Sequence, residues 1–160
     1  MTTLADLVEI VRESRERTDS VFPLPDVDSC IDYAITEAGE YLDAVLREKR
    51  DTDKRNRDKA HDARKEWAQT GYMIASAIIQ KPTDHLDALD WQPYFDATIA
   101  DFYALVRLMC DIRTNNAESE NPEVDALDMW QAQALYSGWN PADLLRETCA
   151  AFEAKHLQVA

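Results

Sequence analysis

The sequence predicts an all-α protein, a bundle of five to six helices. Three observations lead there. Glycine is scarce, at 3 of 160 residues, against a usual share of about 7%, so the tight turns of a sheet-rich fold could hardly be built. Alanine, the strongest helix former, occurs 22 times. Apolar residues recur at three- and four-residue spacing along most of the chain, and no segment alternates long enough to make a strand. The length of 160 residues and an apolar share of 46% suit one domain over 1–160 with a core of its own.

Thr3 is placed to cap a first helix whose Leu4, Leu7, Val8 and Val11 share a face. Pro23 and Pro25 make 21–26 a loop. Ser29 followed by Asp32 resembles a capping box and opens a second helix, from about Cys30 to Arg47. Its core stripe is Ile31, Ala34, Ile35, Ala38, Leu42, Val45 and Leu46. The run from Arg50 to Ala60 is nearly all charged and reads as a loop or a frayed helix end. A third helix spans about His61 to Gln80, with Ala63, Trp67, Gly71, Ile74 and Ile78 on its core face, and Lys81-Pro82 stops it.

Asp84–Leu89 reads as a short helical turn. A fourth helix covers about Pro93 to Arg113, with Phe95, Ile99, Phe102, Val106 and Met109 on one face. The polar segment 114–123 is a loop, and a fifth helix runs from about Val124 to Tyr136. Gly138 stands where a helix C-terminus favours glycine. Asn140-Pro141 supplies N-cap and first residue of a sixth helix.

Lys plus Arg is 17 and Asp plus Glu is 31, a formal net charge of −14. That charge repels nucleic acid and anionic membrane surfaces, and favours cationic partners or divalent metals. Cys30, Cys110 and Cys149 are odd in number, far apart and set in apolar stretches, which reads as reduced core cysteines in a cytoplasmic protein. The N-terminal residues lack a basic start with an apolar core, and no apolar run approaches about 18 residues. Neither a signal peptide nor a transmembrane helix is expected. No P-loop, G-x-S-x-G, Gly-rich dinucleotide turn or HExxH occurs, and His61, His85 and His156 share no metal-ligand spacing.

The second and third helices carry the candidate chemistry. Glu37-Ala38-Gly39-Glu40 and Glu66-Trp67-Ala68-Gln69 each place two oxygen-bearing side chains three residues apart, on one helix face. If the two helices face each other, four oxygens converge, a set that suits Mg²⁺ or Mn²⁺. Asp62 stands one turn before Glu66. Two of the three glycines, Gly39 and Gly71, lie in these helices. A mid-helix glycine costs about 1 kcal/mol relative to alanine, which close helix approach or room for a ligand would explain.

Nine of the 17 basic residues fall between Arg47 and Lys65. A metal beside such cations matches a polyphosphate substrate, and Lys54, Arg55, Arg57 and Lys59 are candidates to neutralise its phosphates. Tyr33 and Trp67 stand near the motif acids and are candidates to stack on a base; the four tryptophans also suit core and interface positions. Glu-x-x-Glu is common on solvated helix faces, so the residues by themselves leave two readings open, a metal-phosphate site or surface acids.

The order E-x-x-E, 25 residues, then E-x-x-Q resembles the MazG-like family of all-α nucleoside triphosphate pyrophosphohydrolases, whose signature ends in E-x-x-D. EAGEYLDAV and KEWAQTGYMIASAII are similar to its two motif helices, and GWNPADLLRETCAAFEAKH to the helix that often closes it. The resemblance implies a four-helix core, with the motif part at about 29–81 and C-terminal helices at about 84–157. It implies that Glu37, Glu40 and Glu66 are catalytic metal ligands for Mg²⁺, with Mn²⁺ as a substitute. Gln69 stands where the family has an acid; its carbonyl oxygen can ligate but brings no charge, and Asp62 offers a compensating carboxylate. The expected reaction is hydrolysis of a (d)NTP to (d)NMP and pyrophosphate, house-cleaning of nucleotide pools. A dUTP preference is one form of it, because dimeric all-α dUTPases share such acidic helices. A homodimer or homotetramer is also implied. The opposing expectation, carried by Gln69, is a non-catalytic helical interaction protein that has lost the metal site.

Overall fold

Six helices account for the fold, and no strand occurs among the described residues. The computed structural model describes residues 2–50, 59–81 and 101–157. Helix α1 (Leu4–Thr18) opens on a reciprocal cap: Asp6 N–H donates to Thr3 Oγ1 at 3.1 Å and Thr3 N–H to Asp6 Oδ2 at 2.8 Å. Leu4, Leu7, Val8 and Val11 are buried, as their spacing requires.

Helix α2 (Val27–Arg50) starts earlier than its Ser29 signal. Asp26 is the cap instead, its Oδ1 accepting from Ser29 N–H at 2.7 Å and its carbonyl from Cys30 N–H at 2.9 Å. Asp32 is drawn elsewhere, accepting from Arg113 Nε at 2.7 Å. The helix also continues past Arg47. Arg47, Lys49 and Arg50 are good helix formers and favour a C-terminus, where the helix dipole is negative.

Helix α3 (Lys59–Ile78) likewise begins before His61 and stops short of Gln80. Gln80 Nε2 donates to Pro25 O at 2.7 Å and to Ser76 O at 3.1 Å, tying the end of α3 to the loop before α2. Helix α4 (Phe102–Arg113) does not run through from Pro93. Asp101 is extended (φ −128°, ψ 108°) and caps Tyr103 and Ala104, which starts the helix at Phe102. Residues 93–100, with Phe95 and Ile99, and the expected turn at Asp84–Leu89 lie outside the described residues. The buried stripe of α4 is Leu105, Met109 and Ile112, with Phe102 and Val106 at its margin.

Helix α5 (Pro122–Tyr136) begins at a proline in its first turn. It ends in a Schellman motif: Gly138 has φ +81°, its N–H bonds Leu135 O, and Trp139 N–H bonds Ala134 O at 2.9 Å. Helix α6 (Pro141–Leu157) is capped by Asn140, whose Oδ1 accepts from Asp143 N–H at 3.1 Å.

Helix α3 is the axis of the bundle. It packs against α1, α2, α5 and α6, and every residue from Thr70 to Ile78 is buried. Its most extensive contact is with α2. The two run antiparallel, with Gln80 against Cys30 at one end and Trp67 against Tyr41 further along. Helix α4 runs antiparallel to α2, joined by Phe102–Tyr41 and by Arg113 to Asp28 and Asp32. Helices α3 and α5 are locked by two tryptophans. Trp130 Nε1 donates to Trp67 O at 2.7 Å, and Trp67 Nε1 donates to Trp130 O at 3.3 Å.

Of the three cysteines, Cys30 and Cys149 are buried and free, but Cys110 is exposed on α4 rather than in the core. No helix among the described residues is long and apolar enough to cross a membrane.

The two helix glycines differ in kind. A Cβ at Gly71 would lie 2.2 Å from Trp130 Cε2, whereas a Cβ at Gly39 would meet nothing within 4 Å. Close approach therefore explains Gly71 and not Gly39. Gly71→Ala should destabilise the fold by about 1–3 kcal/mol through overpacking. Gly39→Ala should stabilise it by about 0.5–1 kcal/mol through helix propensity. Denaturant unfolding of both variants checks the pair; equal effects would refute the contrast.

Candidate metal centre

The antiparallel pairing of α2 and α3 brings Glu37 and Glu40 opposite Glu66. One carboxylate oxygen from each lies within 4.8 Å of the others. Glu37 and Glu66 are half-buried, while Glu40 faces solvent. Glu37 Oε2 and Glu66 Oε2 are both shielded from water and without a hydrogen-bond partner. Two desolvated carboxylate oxygens facing a third acid repel one another. Burial first, and then Glu66 and Glu40, push the Glu37 carboxyl up to about 8. Burial also raises Glu66, opposed in part by the neighbouring Lys65 ammonium.

These observations test whether a metal fits. The donors are hard oxygens, they converge, and two of them are orphaned in the protein interior. A divalent cation would satisfy the orphaned oxygens and cancel the repulsion, and oxygen-only ligation is what magnesium and manganese take. The donor set fits such an ion.

The other expected site residues divide. Asp62 is exposed and, with Glu40, Asp43, Ala44, Arg47 and Glu66, lines a cavity of about 340 Å³ beside the triad. It is not one of the three converging ligands. Gln69 lines a different cavity of about 350 Å³ between α3 and α6, together with Arg64, Lys65, Glu147 and Lys155. Of the expected oxygen set, three carboxylates converge, and Gln69 lines the α3–α6 cavity.

Tyr33 is exposed one turn before Glu37 on α2. Trp67 is 0% exposed, packed on Tyr41 with ring centroids 4.7 Å apart, and its indole N–H is spent on Trp130. It offers no face to a base and is a core residue. Lys54, Arg55 and Arg57 lie outside the described residues, as does the side chain of Lys59, which opens α3.

Two features escaped sequence reasoning. Asp43 shares the wall of the triad cavity; its place three residues after Glu40 was the available signal. Lys155 joins Lys65 at the α3–α6 cavity from 90 residues further along the chain, and no local spacing announces that. Arg64, also at that cavity, is held by Glu147, with Nη2 at 2.9 Å from Oε1.

No family model matches the chain, and neither a curated protein nor a solved structure matches it.

The raised Glu37 pKa has a definite sign in stability. The folded state holds this proton more tightly than the unfolded chain does. The contribution is complete below the ordinary value of 4.5 and is lost as pH rises through about 8. In cation-free protein, Glu37→Gln should therefore flatten the fall in melting temperature between pH 5 and 9. Thermal melts in chelator check this, and parallel curves for variant and wild type would sink the coupled cluster.

Proposed function

We propose that the protein is a divalent-metal-dependent nucleoside triphosphate pyrophosphohydrolase, converting a (d)NTP and water to (d)NMP and pyrophosphate. The observation that carries this reading is the convergence of Glu37, Glu40 and Glu66, with orphaned oxygens on two of them. The MazG-like order of the motifs, E-x-x-E followed by E-x-x-Q on the next helix, supplies the reaction class. A house-cleaning role, a dUTP preference and assembly as a homodimer or homotetramer belong to the same proposal.

Glu37, Glu40 and Glu66 would hold magnesium, or manganese in its place. Such an ion supplies electrostatic stabilisation of the charge that builds on the triphosphate oxygens. One of the three glutamates would accept the proton of the attacking water. Lys65 and Lys155, on the α3–α6 cavity, have no ion-pair partner among the described residues and are free to meet phosphate oxygens. Lys65 lies close enough for its charge to be felt at Glu66. Tyr33, exposed one turn from Glu37, remains the candidate for stacking on the base.

A second reading is a non-catalytic helical interaction protein. One observation favours it: Gln69, where the resemblance expects a fourth acid, lines the α3–α6 cavity and not the triad's.

Pyrophosphate release from a panel of dNTPs and NTPs, dUTP included, with Mg²⁺ or Mn²⁺, separates the two. The first reading expects metal-dependent release that falls by about 10²-fold or more in Glu37→Gln and Glu66→Gln. It also expects melting to rise with metal, by about 2.7 kcal/mol of stability at a hundredfold excess over Kd. Folded protein that neither turns over a nucleotide nor gains stability with metal would leave the second reading standing.

A further inference from the structure

Arg15 is a cation buried inside the protein. It lies on the inner face of α1 and is 4% exposed. Rings of Phe22 and Tyr72 lie against its guanidinium, with Cζ 5.1 Å and 4.6 Å from their centroids. Nε donates to Ser76 Oγ at 3.1 Å and Nη2 reaches Met73 Sδ at 3.7 Å. Nη1 is buried without a hydrogen-bond partner. So are the Tyr72 hydroxyl and Ser14 Oγ, both on residues 0% exposed.

No carboxylate pairs with Arg15 among the described residues. Ser76 is already engaged, donating to Tyr72 O at 2.7 Å. Burial pushes the Tyr72 phenol up to about 12, so it keeps its proton and remains a donor. Every orphaned group here can donate, and one carries full charge. Cation–π contact offsets part of that charge but satisfies no N–H. A buried unpaired charge is among the costliest features a fold can carry.

We propose that Ser14, Arg15 and Tyr72 form an interior site for one small monovalent anion, of halide or simple carboxylate size, bound between α1 and α3. A groove of about 390 Å³, lined by Arg12, Arg15, Glu16, Asp19, Leu24 and Ile79, leads to Arg15 from the surface. Arg12 there is engaged with Glu9 at 2.9 Å. Glu16 and Asp19 repel multiply charged anions, so phosphate is disfavoured and a monoanion selected. The donors come from α1 and α3, and the site stands independently of the proposed hydrolase activity.

The test is thermal melting of the full chain in sodium chloride, bromide, acetate and phosphate, each titrated against sodium gluconate at constant ionic strength, with chlorine-35 NMR line width as a direct reading of bound chloride. The expected result is a saturable rise in Tm with chloride or bromide, none with phosphate, and a broadened chloride line that bromide narrows by displacement. A saturable rise in acetate alone would assign the site to a carboxylate. Arg15→Met should abolish these effects. Tyr72→Phe keeps the ring, removes one donor and should weaken anion affinity about tenfold, which decides the matter if the arginine variant fails to fold. Equal melting in all salts with no broadening, or effects unchanged in Tyr72→Phe, would overturn the site and leave the donors to buried water.

Discussion

Everything in this bundle depends on how α3 is held at its centre. A helix buried from Thr70 to Ile78 cannot satisfy a neighbour's polar groups with water. The Trp67–Trp130 pair solves this by exchange, each indole donating to the other's backbone carbonyl. A helical carbonyl has a second lone pair to accept such a bond. Gly71 lets the Trp130 ring lie where a Cβ would stand. With α3 anchored against α5 in this way, its other faces are left to α1, α6 and α2, and the α2 face carries the acids.

The acid cluster works against the same packing. Antiparallel α2 and α3 bury alanines and aromatics along most of their contact, then place Glu37 and Glu66 where water is partly excluded. Desolvation and like charge make that arrangement unfavourable in the absence of a cation. Sites of function are where such local conflict is expected, because the energy lost in the empty fold returns on binding. Arg15 poses the complementary case on the α1 side, a buried positive charge that no carboxylate among the described residues pairs with. A strongly acidic chain thus gathers three carboxylates at the α2–α3 contact and buries an arginine of α1 against α3.

Much of this was legible in residue order. Thr3, Asn140-Pro141 and Gly138 each mark the helix end that they form, because caps and left-handed stops act within a few residues. Misplaced boundaries came from competition among signals equally local. Ser29 and Asp32 made a plausible cap, yet Asp26 caps and Asp32 serves Arg113, a partner 81 residues away. The helix expected from about Pro93 to Arg113 is interrupted at Asp101, whose side chain caps the next turn. Cys110 looked apolar by its neighbours, but its own position on α4 faces out.

By itself the sequence determined the all-α class, a bundle of five to six helices and the facing of Glu37 with Glu40 along one of them, since helix periodicity and capping are set by residues three and four apart. Tertiary structure alone decided that Glu66 joins them while Gln69 opens onto another cavity, that Trp67 is sealed in the core, that Gly71 and not Gly39 meets a neighbour, and that Arg15 is buried. The physical reason is that one turn of helix presents several faces. Which face meets protein and which meets solvent is set by helices distant in the chain, through contacts that no local spacing encodes.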